Sequence, residues 1–383
     1  MTVAVVAAGM TEFGQRDGWL LDLLAEAGEA CLRDGGVDPS AVDHCYVSNM
    51  ASGEFEGQSG VMNALAAELG LVPAYTARVD QTSASGGAGI YAAWQSVASG
   101  ASDLTLLVGG EKMTHRTTAE ATDIIASLTH PVEYKHGVTL PSFAGLTARA
   151  YLDRYDAPRE SLAEVAVKNH ANGCLNPNAQ FQRQVDRATV LESPIVADPL
   201  RLYDFCPITD GAAALLFCPA EDAAAYTDEF VTVEGIAGAT DTHAVHQRAE
   251  PTVMNAVVES GADALGMAGR APDDIDVAEL HDMFTILEFL QMEGLGFAEQ
   301  GRAWEAVLDG RTRRDGALPV NTSGGLKSKG HPLGATGVAQ AVELYEQLTG
   351  QAGERQVEAE TGLACNVGGF GNCVTTTVLE AGG

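Results

Sequence analysis

The chain has 383 residues, 52 of them acidic and 22 basic, for a formal net charge of −30. Hydrophobic side chains make up 46% and charged ones 19%, which excludes general disorder and leaves apolar material for two or three domains of roughly 100–200 residues. No Lys/Arg block exists to displace phosphate counterions, so nucleic-acid binding is excluded as a class. Only Lys112, Lys135, Lys168, Lys327 and Lys329 are lysines, a balance that suits a protein kept soluble in concentrated salt, although an acidic mesophilic protein has the same signature. The cysteines at 31, 45, 174, 206, 218, 365 and 373 show no CxxC spacing, so neither a metal site nor a disulfide framework is expected. The apolar start reads as a strand and not a leader, and no run approaches the ~20 apolar residues that span a bilayer; a cytoplasmic protein without a membrane segment is expected.

Taken in chain order, the elements repeat. A first strand ends in Ala8-Gly9-Met10-Thr11, a helix follows, and a short strand covers Val42–Val47. Ser83-x-x-Gly86-x-x-Gly89 then opens a small-residue helix to about Ser99, followed by an apolar run with Val108-Gly109-Gly110. The second half runs in the same order: a strand ending Ala237-Gly238-Ala239-Thr240, a helix, a strand at Ile275–Leu280, His331-x-x-Gly334-x-x-Gly337 opening a helix to about Leu348, and Val367-Gly368-Gly369. Four matches in one order point to a duplication, and strands alternating with helices predict βαβ units with a largely parallel sheet in each half. Residues from about 115 to 200 have no counterpart and read as an insertion; the halves are expected at 1–225 and 226–383, with Ala212–Cys218 returning to the first sheet.

Under a pseudo-twofold, Ser83 and His331 would stand at neighbouring helix N-termini, where unpaired N–H groups and the helix dipole favour a developing anion. The simplest alternative for Ser83 is an N-cap, and Ser85 fits the functional hydroxyl equally well by spacing. A GxSxG elbow is absent, so an ordinary serine esterase is not expected. His281 directly follows the Ile275–Leu280 strand, at the end of a parallel strand where ligand sites of α/β sheets gather.

NTSGGLKSKGHPLGATG resembles the GHPxGxTG signature of thiolases, SASGG lies where they carry the nucleophile turn, and GLACNVGGFGNC looks like their C-terminal Gly-rich loop. ELHDMF resembles the HDxF motif of the sterol-carrier-protein-type and archaeal branch. The likeness covers essentially the whole chain. It implies an α/β thiolase-like fold: two duplicated βα halves in five layers, α-β-α-β-α, with an inserted loop domain. It also implies coenzyme A thioesters as substrates, no other cofactor, ping-pong acyl transfer and a homodimer or tetramer. Carried over, Ser83 takes the nucleophile position, His331 activates it, and His281 lines an oxyanion site; the backbone N–H groups of Ser83 and Gly368 form a second one.

Family members normally carry Cys where this chain has Ser83. One consequence is a Ser–His–His enzyme tilted toward condensation of acetyl-CoA with acetyl-CoA or a short acyl-CoA; the other is a scaffold or CoA-binding subunit that has lost its chemistry. Some haloarchaeal ketothiolase subunits are similar in using Ser there, which fits the acidity and implies polyhydroxyalkanoate precursor supply. Another condensing enzyme of the fold, such as a ketoacyl synthase, is the enzymatic alternative. Met283 occupies the place where this branch often carries a Cys, leaving Cys365 and His281 as candidates for the second acid/base. Lys327 and Lys329, with Arg311, Arg313 and Arg314 upstream, are candidates for steering CoA phosphates, and His170 and Asn172 for lining the pantetheine channel. Related archaeal thiolases pair with a small OB-fold subunit bearing a zinc ribbon, so a separate partner polypeptide of that kind is expected.

Overall fold

The computed structural model describes residues 1–382. Strands β1 (Val3–Met10), β2 (His44–Ser48), β3 (Tyr75–Val79), β4 (Thr105–Glu111), β7 (Gly211–Pro219), β8 (Phe230–Thr240), β9 (Val277–Leu280), β10 (Thr361–Gly368) and β11 (Cys373–Gly382) form one nine-stranded sheet. A small separate hairpin is made by β5 (Ile195–Ala197) and β6 (Leu200–Arg201). The main order is β3-β2-β4-β7-β1-β8-β11-β10-β9, so the two halves occupy the two ends. They meet where Val3–Val5 of β1 runs antiparallel to Val231–Val233 of β8.

The sheet is mixed, which corrects the expectation of largely parallel halves. β2 pairs in parallel with β3 and β4, and β9 with β10, but β7 lies antiparallel to both β4 and β1, and β11 to both β8 and β10. The βα repeat was legible; the direction of the returning strand that closes each half was not, because an apolar run such as Ala212–Cys218 is buried whichever way it points.

The helices that frame the sheet and the site include α1 (Leu20–Asp34), α2 (Val61–Glu68), α3 (Ser85–Ala98), α4 (Leu140–Tyr155), α5 (Arg159–Gly173), α6 (Asn255–Ala268), α7 (Thr285–Gly294) and α8 (Thr336–Leu348). In α1 the apolar residues Leu20, Leu23, Leu24, Ala27 and Cys31 recur at helical spacing and bury one stripe against β1, β4 and β7. Helices α3 and α8 differ. They lie between the two ends of the sheet, touching strands of both halves, and α8 is buried along its whole length apart from the partly exposed Glu346. Inside it, Gln340 Nε2 donates to the carbonyls of Glu279 and Cys365, both at 3.2 Å, while its Oε1 is buried without a partner. On the far side α6 covers β8 and β11. The order is therefore helix, one end of the sheet, central helix pair, the other end of the sheet, helix, with apolar clusters filling the gaps. Helices α4 and α5 of the inserted segment contribute Leu140, Phe143, Tyr151 and Leu162 to the same cluster as Leu280, Phe284 and Phe370 of the second half. The insertion thus packs on the half to which it does not belong in sequence.

Two features of the duplication are refined. The central helices start at Ser85 and Thr336, two residues after Ser83 but five after His331, so the two side chains are not equivalent by position. The glycines do set the helix contact: a Cβ at Gly86 would come within 2.6 Å of the backbone nitrogen of Gly337.

Candidate active site

Ser83 lies in the turn between β3 and α3, where Thr82 adopts a left-handed φ of 55°. The two competing hydroxyls separate here. Ser85 Oγ accepts from the Gln81 N–H at 2.9 Å and donates to the Thr82 carbonyl at 2.6 Å, so it is occupied in holding the turn. Ser83 Oγ is buried and makes no hydrogen bond.

His331 precedes α8 in a loop pinned at both ends. Its own N–H donates to Thr209 Oγ1 at 3.0 Å, and the Gly334 N–H donates to Glu111 Oε2 at 3.1 Å. Thr336 Oγ1 lies 2.6 Å from His331 Nδ1 and donates its own proton to the Pro332 carbonyl at 2.9 Å. With the hydroxyl proton directed to that carbonyl, Nδ1 carries the ring proton and Nε2 the free lone pair. That Nε2 is buried without a partner.

His281 carries the opposite tautomer. Asn366 on β10 has its amide orientation fixed, because Oδ1 accepts from the Gly87 N–H at 2.9 Å. Its Nδ2 therefore donates, to the Ser83 carbonyl at 3.3 Å and to His281 Nδ1 at 3.0 Å. With Nδ1 accepting, the His281 proton sits on Nε2, again buried and unpartnered. Gln291 clamps the His281 backbone, accepting from its N–H at 2.8 Å and donating to its carbonyl at 3.0 Å. The two imidazoles meet edge to face with centroids 4.8 Å apart. Burial lowers the His331 pKa to about 3, and burial together with His331 holds His281 well below its ordinary value; both rings are neutral near pH 7. One ring therefore offers a base and its neighbour a hydrogen-bond donor.

Ser83 and His331 line one cavity of about 130 Å³ whose other walls include Met113, Ile125, Phe205, Met283 and Phe284. Gly368 closes on the same turn: a Cβ there would meet Thr82 Oγ1 at 2.6 Å and the Gln81 carbonyl at 2.8 Å.

Other expected residues lie elsewhere. Cys365 and Asn366 are neighbours on β10, so their side chains point to opposite faces. Asn366 faces Ser83 and His281, whereas Cys365 belongs to the apolar cluster shared by the second half and the insertion, with Thr376 Oγ1 3.9 Å from its sulfur and its pKa pushed up to about 12 by burial. Cys365 is thus removed as a candidate acid/base. Lys327 and Lys329 are not surface cations but 1% exposed. The Lys327 ammonium is hydrogen-bonded to the Phe205 carbonyl, and that of Lys329 lies 3.7 Å from the Glu279 carboxylate, so neither is free for a CoA phosphate. His170 is buried against Phe181 and Tyr203, and Asn172 donates to the Asn321 carbonyl at 2.9 Å, which makes both internal supports and not channel walls. Arg311, Arg313 and Arg314 are exposed, with Arg313 paired to Glu164 at 3.5 Å. Sequence reasoning missed Asn366 and the buried Glu111, which accepts from the N–H groups of Met50, Ala51 and Gly334. Among the described residues no cluster of three or more His, Cys, Asp or Glu is arranged to hold a metal, and no helix is long and apolar enough to cross a membrane.

A turn-borne hydroxyl and two imidazoles of opposite polarity, with the Asn366 amide bonded to the Ser83 carbonyl and to His281, stand together on the doubled βα frame. Residues 3–221 match the thiolase N-terminal domain and residues 237–381 the thiolase C-terminal domain-like family. The chain belongs to the thiolase family and is an acyltransferase of that family. It is 45% identical to an acetyl-CoA acetyltransferase of Methanothermobacter thermautotrophicus, covering 99% of both chains, and 32% identical to human sterol carrier protein 2, covering 99% of this chain and 72% of that protein. Among solved structures, an Ltp2-ChsH2(DUF35) aldolase superposes with a TM-score of 0.86 at 25% identity over 99% of this chain and 98% of that one. An acetyl-CoA acetyltransferase from Syntrophomonas wolfei gives 0.77 at 19% identity over 99% and 98%.

Proposed function

We propose that the protein is a β-ketothiolase that condenses acetyl-CoA with acetyl-CoA or a short acyl-CoA through an acyl ester on Ser83. The observation that carries this reading is the set of three buried, unpartnered atoms, Ser83 Oγ, His331 Nε2 and His281 Nε2, in one neighbourhood. A serine hydroxyl needs a base to become a nucleophile, and His331 Nε2 is the lone pair available to take its proton. The Nε2–H of His281 supplies a donor for one oxyanion; the N–H groups of Ser83 and Gly368, whose chains touch at the Gln81–Thr82 turn, serve the other.

An oxygen ester is a poorer acyl donor to a thiol than a thioester is, so return of the acyl group to CoA is disfavoured. Attack by a carbanion still releases it in a carbon–carbon bond, which tilts the enzyme toward condensation. Polyhydroxyalkanoate precursor supply in a salt-adapted cytoplasm fits that direction and the charge of −30. A homodimer or tetramer with a separate small OB-fold, zinc-ribbon subunit is the assembly we favour; the likeness to the Ltp2-ChsH2(DUF35) aldolase supports a partner polypeptide.

Intact-mass measurement after mixing with labelled acetyl-CoA tests the reading: one acyl group is expected on wild type and none on Ser83→Ala. A second reading, carbon–carbon bond chemistry without an acyl-enzyme, draws on the aldolase likeness and on Ser83 Oγ making no hydrogen bond to His331. An active wild type with no transient mass increase would favour it. Ser83→Cys is expected to raise thiolysis relative to condensation by at least tenfold, and an unchanged ratio would refute the ester argument.

A further inference from the structure

The proposed cycle needs two proton carriers. When Ser83 attacks, its proton goes to His331, and the departing CoA sulfur needs another. When the second thioester attacks, its α-carbon must lose a proton while His331 still holds the one destined for Ser83 Oγ. His281 is not free for this, since its Nδ1 is occupied by Asn366 and its Nε2 already bears hydrogen. Cys365 faces away and Met283 has no exchangeable proton.

We propose that Cys206 is the second proton carrier, donating to the departing CoA sulfur and then taking a proton from the α-carbon of the second thioester. This rests on the acyl-Ser83 reading for its sequence of steps. Cys206 lines the same cavity as Ser83 and His331, whose buried polar atoms lack partners there. Its N–H donates to the Met283 carbonyl at 2.9 Å, so it stands beside the motif position that lacks a thiol. Among the described residues lining that cavity, the other exchangeable side chains are Ser83, His331 and the hydroxyl of Thr122, an alcohol too weak as an acid to share the task.

The buried lysine next door gains a purpose from this. Lys327 bonds the Phe205 carbonyl, the oxygen of the peptide that leads into Cys206, and so places an internal ammonium beside the thiol. Asp282 and Asp204, both fully buried, are the anions of the same neighbourhood, each held by its own partners: Asp282 by the Leu326 N–H at 2.7 Å and Asp204 by Arg159. Burial pushes the Cys206 thiol up to about 12, with Lys327 acting to lower it and Asp282 to raise it, so the group enters the cycle protonated, as an acid.

The balance closes. In the first half the Ser83 Oγ–C bond forms and the C–S bond breaks; His331 gains the serine proton and Cys206 gives its own to CoA, leaving an imidazolium and a thiolate. In the second half the thiolate takes the α-proton, the carbanion forms the C–C bond, the Oγ–C bond breaks, and Ser83 recovers its proton from His331.

The experiment is exchange of the acetyl methyl protons of acetyl-CoA in D2O, followed by mass spectrometry alongside the mass of the intact protein. Wild type is expected to exchange. Cys206→Ala is expected to exchange roughly 10²–10⁴-fold more slowly and to acylate Ser83 more slowly, while still reaching the acyl-Ser83 mass because a CoA thiolate can leave without that proton. Cys206→Asp, which restores a base, should recover part of the exchange, whereas Cys365→Ala should match wild type. Cys206→Ser, closest in size, guards against misfolding and should also lose exchange. Exchange by Cys206→Ala or Cys206→Ser within threefold of wild type overturns the proposal. Loss of exchange in a protein that never acylates Ser83 would instead keep the carrier and remove the ester.

Discussion

Asn366→Asp isolates the tautomer argument with almost no change in shape. The substitution keeps an oxygen facing the Gly87 N–H but replaces the amide N–H2 that donates to His281 Nδ1 at 3.0 Å and to the Ser83 carbonyl at 3.3 Å. A carboxylate accepts only, so the neutral His281 must move its proton to Nδ1, and Nε2 turns from donor to acceptor. Removing one such donor costs about 10²–10³ in kcat, roughly 2.7–4 kcal/mol. The added negative charge beside the Ser83 carbonyl acts in the same direction, so about 10² is the lower expectation. The assay is steady-state condensation near pH 9, where the imidazole stays neutral, with single-turnover acylation followed by mass. The fall should appear in kcat with KM little changed, because the contact forms in the transition state. A loss under threefold, or a nitrogen-15 spectrum of wild type with the His281 proton on Nδ1, would refute the assignment.

Thr336→Val removes the acceptor that fixes the His331 proton on Nδ1, and about a tenfold loss of acylation rate is expected, restored by Thr336→Ser; equal loss in both variants would count against the hydroxyl. Glu111→Gln places an N–H2 against backbone donors at Met50, Ala51 or Gly334 and should destabilise the protein by about 1–3 kcal/mol in denaturant titration, with reduced activity through the His331 loop. The His331 pKa of about 3 lies below the unfolded value near 6.5, so its stabilising contribution is complete above pH 6.5 and is lost as pH falls toward 3. His331→Gln should therefore make the acid-side loss of stability shallower by about 1.4 kcal/mol per pH unit between about pH 4 and 6; identical slopes would show that the ring is not buried neutral.

The duplication was legible because it is written in glycines, which recur wherever backbones touch, as Gly86 and Gly337 do. Ser83, His331 and His281 were legible for a related reason: each stands where a strand or turn delivers a side chain to the central helix pair. Asn366 was not, since one Asn in an apolar strand carries no pattern, and the adjacent thiol drew attention one residue too early. Strand alternation held the correction, because Leu363, Cys365 and Val367 share the apolar face. The lysines misled because hydropathy treats Lys as exposed, whereas Lys327, Lys329 and Lys168 are each enclosed with an acceptor. Sheet direction was illegible for any strand buried on both faces.

The glycine-to-glycine contact of the two central helices also shapes what such a protein can become. A methyl group at Gly86 would press on the partner helix backbone and wedge apart the platforms that carry the hydroxyl and the imidazole. The floor of the reaction chamber therefore cannot be retuned in small steps. Diversification is left to the thioether and aromatic walls, Met113, Met283, Phe205 and Phe284, where a change of side-chain volume reshapes the cavity without moving the helices beneath.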